Sequence, residues 1–123
     1  MRLAKEQLED AQVAAWEPED AAECVTNAFY AYENAVTAAM IAVGRKRTRK
    51  HSDKSAAATE LFKDNKLKTD VGGLLEYLND TRKDVQYETA GAELLGLDLE
   101  ELVSNLETFI DDVDDLLDQI EQG

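Results

Sequence analysis

The chain has 123 residues, 27 acidic against 13 basic, for a formal charge of −14. That length suits one domain, predicted over residues 1–123, which can bury roughly two-thirds of the surface its unfolded form exposes. The charge repels polyanions at long range unless the cations are gathered in one place; the lone Cys24 excludes an intrachain disulfide and reads as a small core residue suited to a reducing compartment.

A single proline (Pro18) and the lack of alternating β-branched or aromatic runs argue against a sheet, so the chain is predicted to be all-α. The N-terminus carries no apolar signal region. The longest uncharged apolar run, Ala35 to Val43, falls far short of the roughly 20 residues that cross a bilayer. A cytoplasmic protein with no membrane partner is expected.

The first helix is predicted from Arg2 to Trp16, with Ala4, Leu8, Ala11 and Ala15 on one stripe. Pro18, followed by Glu19 and Asp20, suits a helix start, because proline lacks an N–H that is not needed there and acids suit the positive end of the dipole. The second helix runs from there to about Val43. Val25, Phe29, Tyr32, Val36, Met40 and Val43 form its stripe, and Ala21, Ala28, Ala35 and Ala42 recur beside it at heptad spacing, where small residues let a neighbour approach closely. Phe29, Tyr30 and Tyr32 point in three directions, which marks this helix as central.

Gly44 suits a helix-ending position. The basic loop Arg45, Lys46, Arg47, Arg49, Lys50 and His51 follows, with Lys54 beside it. Two readings stay open for this loop: a solvated cluster favoured by the negative end of the preceding helix, or a grip on nucleic-acid or nucleotide phosphate. His51 is the chain's only histidine. Ser52 is the predicted cap of a short third helix from Asp53 to about Lys63, with Ala57, Ala58, Leu61 and Phe62 facing inward. Thr69 or Asp70 is expected to cap the fourth helix, which carries Gly72 and Gly73 in its first turn and runs to between Glu88 and Ala90.

The last helix is predicted from Asp98 to Gln122. Its stripe of Leu99, Leu102, Leu106, Phe109, Val113, Leu116 and Ile120, widened by Val103, Ile110 and Leu117, is the strongest periodic signal present. No Lys or Arg follows Lys83, so the C-terminal third is wholly acidic. Asp111, Asp115 and Asp118 share one face, read as solvated rather than as a metal site. Neither a metal nor a cofactor is expected. Four substantial helices and one additional short helix, joined by short connections, point to an antiparallel up-and-down four-helix bundle.

One residue breaks the fourth helix's pattern. The apolar line runs Val71, Leu74 and Leu75, Leu78, then Arg82, then Val85, so a guanidinium falls on the face that should meet the core. Such an Arg is either paired with an acid, snorkelled to solvent, or used.

The order of Ala28-Phe29-Tyr30-Ala31-Tyr32, the loop ending in His51, Ser52, Asp53 and Lys54, the short helix, and Leu78 to Tyr87 with Arg82 within it resembles the HEPN family, the higher eukaryotes and prokaryotes nucleotide-binding domains, over about Ala21 to Leu117. The resemblance implies a helical bundle, a homodimer, and a composite cleft lined by an Arg-x4-6-His motif that cleaves RNA without metal in active members. Arg82 matches the motif's Arg and would bind phosphate there, with Lys83 beside it. Tyr87 stands where the motif has His. A phenol with an ordinary pKa near about 10 is a poor general base beside an imidazole near about 6.5.

The expectation is therefore a dimeric module that binds RNA, a nucleotide or a protein partner through an Arg82/Tyr87 cleft, by analogy a nucleotidyltransferase-like partner in a toxin–antitoxin or defence setting, without cutting RNA efficiently. One alternative is a metal-independent ribonuclease in which Arg82, Tyr87 and His51 act together. Another is a helical scaffold whose acidic last helix docks a basic protein partner.

Overall fold

A computed structural model describes residues 1–15, 21–87 and 98–122. They form five helices and, among the described residues, no strand: α1 (Arg2–Ala15), α2 (Ala21–Ala42), α3 (His51–Lys63), α4 (Gly72–Tyr87) and α5 (Leu99–Gln122). The all-α expectation holds. The predicted Pro18 start of the second helix, Trp16, and the stretch from Glu88 to Ala90 lie outside the described residues.

α2 touches each of α1, α3, α4 and α5, and the sequence explains why it can. Val25, Ala28, Phe29, Ala31, Tyr32, Ala35, Val36, Ala39 and Met40 are all buried, so its apolar surface wraps most of the helix instead of forming one narrow stripe. Tyr32 packs on Phe109 of α5, with ring centroids 5.3 Å apart. From α5 itself, Leu102, Val103, Leu106, Phe109, Ile110, Val113 and Leu116 enter the same core. The stripe stops short of its predicted end, because Ile120 is 41% exposed. Polar ties fasten α1 to α2 and α5: Asn34 donates to Gln7 Oε1 at 2.7 Å, and Lys5 reaches Asp114 at 2.9 Å.

The connections obey local chemistry. Gly44 adopts φ +85. The amide of Gly44 donates to Ile41 and that of Arg45 to Met40, at 3.0 and 2.8 Å, the paired bonds of a Schellman stop. α3 begins at His51, earlier than expected, and Lys50 is its cap without a side-chain bond; Ser52 lies in the first turn and caps nothing. Thr48 does the ordering there, its hydroxyl accepting from the Lys50 amide and donating to Asp53. Ala57, Ala58 and Leu61 face inward as expected, whereas Phe62 is 40% exposed. With thirteen residues, α3 is nearly as long as α1.

Asp70 is the residue that starts α4. Its Oδ1 accepts from the Gly72 amide at 2.9 Å and from the Thr59 hydroxyl at 2.8 Å, which fastens α4 to α3. Gly72 is required by that closeness, since a Cβ there would collide with Thr59 Oγ1 and stand 2.7 Å from the Ser55 carbonyl oxygen. The loop before it is pinned to α5 through the Lys68 amide, which donates to Asp112 at 2.8 Å. No described helix is long and apolar enough to cross a membrane.

Candidate anion-binding cleft

Arg82 occupies the apolar side of α4 as its spacing requires, one turn after buried Leu78 and next to buried Thr81, and is itself half-buried. Among the described residues its guanidinium meets no carboxylate. The central carbon sits 4.9 Å from the centroid of Phe29 and 5.5 Å from that of Tyr30, and Nε donates to Asn79 Oδ1 at 3.0 Å, one turn earlier on the same helix. Two aromatic faces and one amide thus hold the charge in a half-buried place, a cation–π contact contributing about 0.5–2 kcal/mol. Among the described residues the two terminal nitrogens make no hydrogen bond. A planar fork with both prongs free is suited to a bidentate anion such as phosphate.

His51, at the start of α3, meets the same aromatic ring: its centroid lies 5.3 Å from that of Phe29, edge to face. Phe29 therefore packs against both the imidazole and the guanidinium. The imidazole is oriented from a second side by Glu33 of α2, whose Oε2 lies 2.5 Å from Nδ1. Glu33 is only 3% exposed, and its other oxygen lies 3.7 Å from Lys54 Nζ. A shielded carboxylate needs such partners. Between α3 and α4, a cleft of about 250 Å³ is lined by His51, Ser52, Ser55, Glu76, Asn79 and Asp80. Asn79 serves both the cleft wall and Arg82.

The basic loop feeds this place unevenly. Arg45 is tied to Glu60 of α3, which turns it along the helix. Together with Lys46, Thr48 and Asp53 it walls a separate cleft of about 360 Å³ on that side. Lys46, Arg47, Arg49 and Lys50 are exposed, and among the described residues none of them makes an ion pair. They lead along the chain into His51. Lys83, also exposed, follows Arg82 on α4. Tyr87 is the last residue of α4, and its side chain lies outside the described residues.

On α5, the acidic face is partly spoken for: Asp114 pairs with Lys5, Asp115 lies 3.9 Å from Lys68, and Asp112 is the buried acceptor for the loop. Among the described residues no three His, Cys, Asp or Glu side chains converge in a way that would hold a metal ion.

Sequence reasoning found Arg82 and His51 but missed Glu33 and Asn79. The signal for Glu33 was present: it lies one turn after Phe29 and one before Val36, so the rule that singled out Arg82 also marks a carboxylate on an apolar stripe. Asn79 carried a weaker signal, a side-chain acceptor three residues before a cation on one helix.

A family model of the HEPN domain matches residues 1–121. No curated protein and no solved structure matches the chain.

Proposed function

Since the chain belongs to the HEPN domain family, we propose that residues 1–123 act as a single binding module that takes a phosphate group of RNA or of a nucleotide on Arg82. The observation that carries this reading is the state of the guanidinium: laid on Phe29 and Tyr30, bonded only through Nε, and free at both terminal nitrogens among the described residues. Among the described residues its partner is the neutral Asn79 and not an acid, which supports a charge kept for a ligand. The exposed cations Arg47, Arg49 and Lys50 run into His51 and support an approach path for a polyanion.

The cleft next to Arg82, whose wall Asn79 shares, supports a nucleotide unit over a bare phosphate. Glu76 and Asp80 line it, and carboxylates accept hydrogen bonds from sugar hydroxyls and base amino groups while repelling a second phosphate. Tyr87, a single turn and a half beyond Arg82, borders this site in our reading and adds a phenol instead of an imidazole. The homodimer belongs to the proposal as well, with two copies apposing their Arg82 clefts. A protein partner of nucleotidyltransferase type and a toxin–antitoxin or defence setting rest on the family resemblance alone.

The test is a titration of fluorescein-labelled single-stranded RNA, and separately of a nucleoside monophosphate, in EDTA at low salt. Arg82→Ala is expected to weaken binding at least tenfold while the circular dichroism spectrum is unchanged. Equal affinity in the variant would remove Arg82 from the site. Solution mass, measured in parallel, decides between one copy and two.

A further inference from the structure

A further cavity, of about 270 Å³, opens between α2, α5 and the start of α4, and it shares no lining residue with the cleft beside Arg82. Its floor is apolar: the rings of Tyr32 and Phe109, with Val71 and Leu74. An apolar cavity of about 150 Å³ already takes benzene, so this one has room for a phenyl ring and a short arm. Tyr32 supplies the observation that points to a ligand. The residue is only 1% exposed, and among the described residues its hydroxyl makes no hydrogen bond. Among those residues no fully buried polar side-chain atom lacks a partner, so the phenol oxygen keeps the small opening that Tyr32 has, on the cavity it lines. A phenylalanine would fill the same core space beside Phe109 without burying a hydroxyl.

The rim decides what kind of molecule fits. No lysine, arginine or histidine is among the described residues that line the cavity, and nearby Lys68 is turned to Asp115 of α5 at 3.9 Å. An anion finds no counter-charge there. The one charged lining group is the carboxylate of Asp70, on the exposed rim. Its Oδ1 is occupied by the Gly72 amide and the Thr59 hydroxyl, and among the described residues Oδ2 accepts no hydrogen bond. Asn105 of α5 adds a neutral amide to the same rim. Burial pushes the Tyr32 phenol up, so it stays neutral at physiological pH and brings no second negative charge.

We propose that this cavity binds a small apolar monoamine as its ammonium ion, with the apolar body on Tyr32 and Phe109 and the ammonium at Asp70. The ammonium donates to Oδ2 and stays partly hydrated at the exposed rim, as the heads of long cationic side chains do. The apolar body displaces water from the two rings. The Tyr32 hydroxyl gains a partner inside the cavity. Nothing in this depends on Arg82.

The experiment titrates phenethylamine into the folded chain at neutral pH and follows the Val71 and Leu74 methyl groups by NMR. Phenethyl alcohol and phenylpropionate serve as neutral and anionic counterparts. Phenethylamine is expected to give saturable shifts, the alcohol to bind about tenfold more weakly, and the carboxylate to bind most weakly of the three. Asp70→Asn keeps an acceptor for Gly72 and Thr59 and removes only the charge, so it should reduce the amine to the affinity of the alcohol. Tyr32→Phe should lower the affinity for the amine about threefold without lowering the melting temperature. The absence of saturable shifts at Val71 and Leu74 overturns the site. Equal affinity for amine and alcohol, or a full preference for the amine in folded Asp70→Asn, overturns the assignment of an ammonium ion. Should Asp70→Asn fail to fold, the three compounds on wild-type protein decide by themselves.

Discussion

The guanidinium of Arg82 and the imidazole of His51 lie against one phenyl ring, that of Phe29, at 4.9 and 5.3 Å from its centroid. Two residues remote in sequence and carried by different helices are thereby fixed with respect to one another by a side chain that is itself fully buried. A buried aromatic in a close-packed core moves little, so the spacing of the two polar groups is set by the fold and does not await a ligand. His51 lines the cleft between α3 and α4, and Arg82 is tied to the wall of that cleft through Asn79.

Gly72 and Gly73 should respond in opposite directions to the same change. Gly72→Ala puts a methyl against Thr59 and 2.7 Å from the Ser55 carbonyl oxygen. Because that oxygen belongs to a helix, the clash is expected to cost about 1–3 kcal/mol. Gly73→Ala meets nothing within 4 Å, and the gain in helix propensity should stabilise by up to about 1 kcal/mol. Urea denaturation of the two variants checks both signs.

The basic loop should divide by residue. Replacing Arg47 and Arg49 together with Ala is expected to lower the slope of log affinity against log salt for single-stranded RNA by about 1.4, on the basis of about 0.7 per neutralised phosphate. Arg45→Ala should change the slope less, because Arg45 is engaged with Glu60. Anisotropy titrations at several salt concentrations measure this. Equal slopes in all variants would assign the loop to solvent.

Alkaline pH should loosen the fold. Burial pushes the Cys24 thiol up to about 11, and burial pushes the Tyr32 phenol up as well. Both groups hold their protons longer in the folded chain than in the unfolded one. Stability is therefore whole below the unfolded thiol value, about 8.5, and declines as pH rises from there toward about 11. Thermal melts between those limits should show a falling Tm. In the native state at neutral pH, Cys24 should resist alkylation and react only when the chain is unfolded.

The helices were legible because burial of a face imprints a periodicity on the sequence. The α5 stripe and the α2 core positions are of this kind, and so is Arg82, visible as a violation of the same pattern. His51 was legible as a residue but not as a companion of Arg82 on the Phe29 ring. That shared ring depends on how α3 and α4 pack against α2, which no local spacing encodes. Lys50 and Thr48 show the same limit at smaller scale: a cap predicted at Ser52 lost to a loop held by the Thr48 hydroxyl. Ile120 and Phe62, apolar by type, stay exposed: Ile120 lies beyond Leu116, the last buried residue described on α5, and Phe62 falls off the face of α3 that Ala58 and Leu61 bury.

The central claim is that Arg82 receives the phosphate, and the most direct measurement follows its own side-chain signal. In ¹⁵N-labelled protein, the Arg82 Nε–Hε resonance is assigned by its absence in Arg82→Lys and followed by NMR during titration with a nucleoside monophosphate. The expected result is a saturable shift of that resonance, with the backbone amides of His51 and Asn79 moving along the same curve. A nucleotide that binds and shifts other residues while the Arg82 resonance stays in place would contradict the claim.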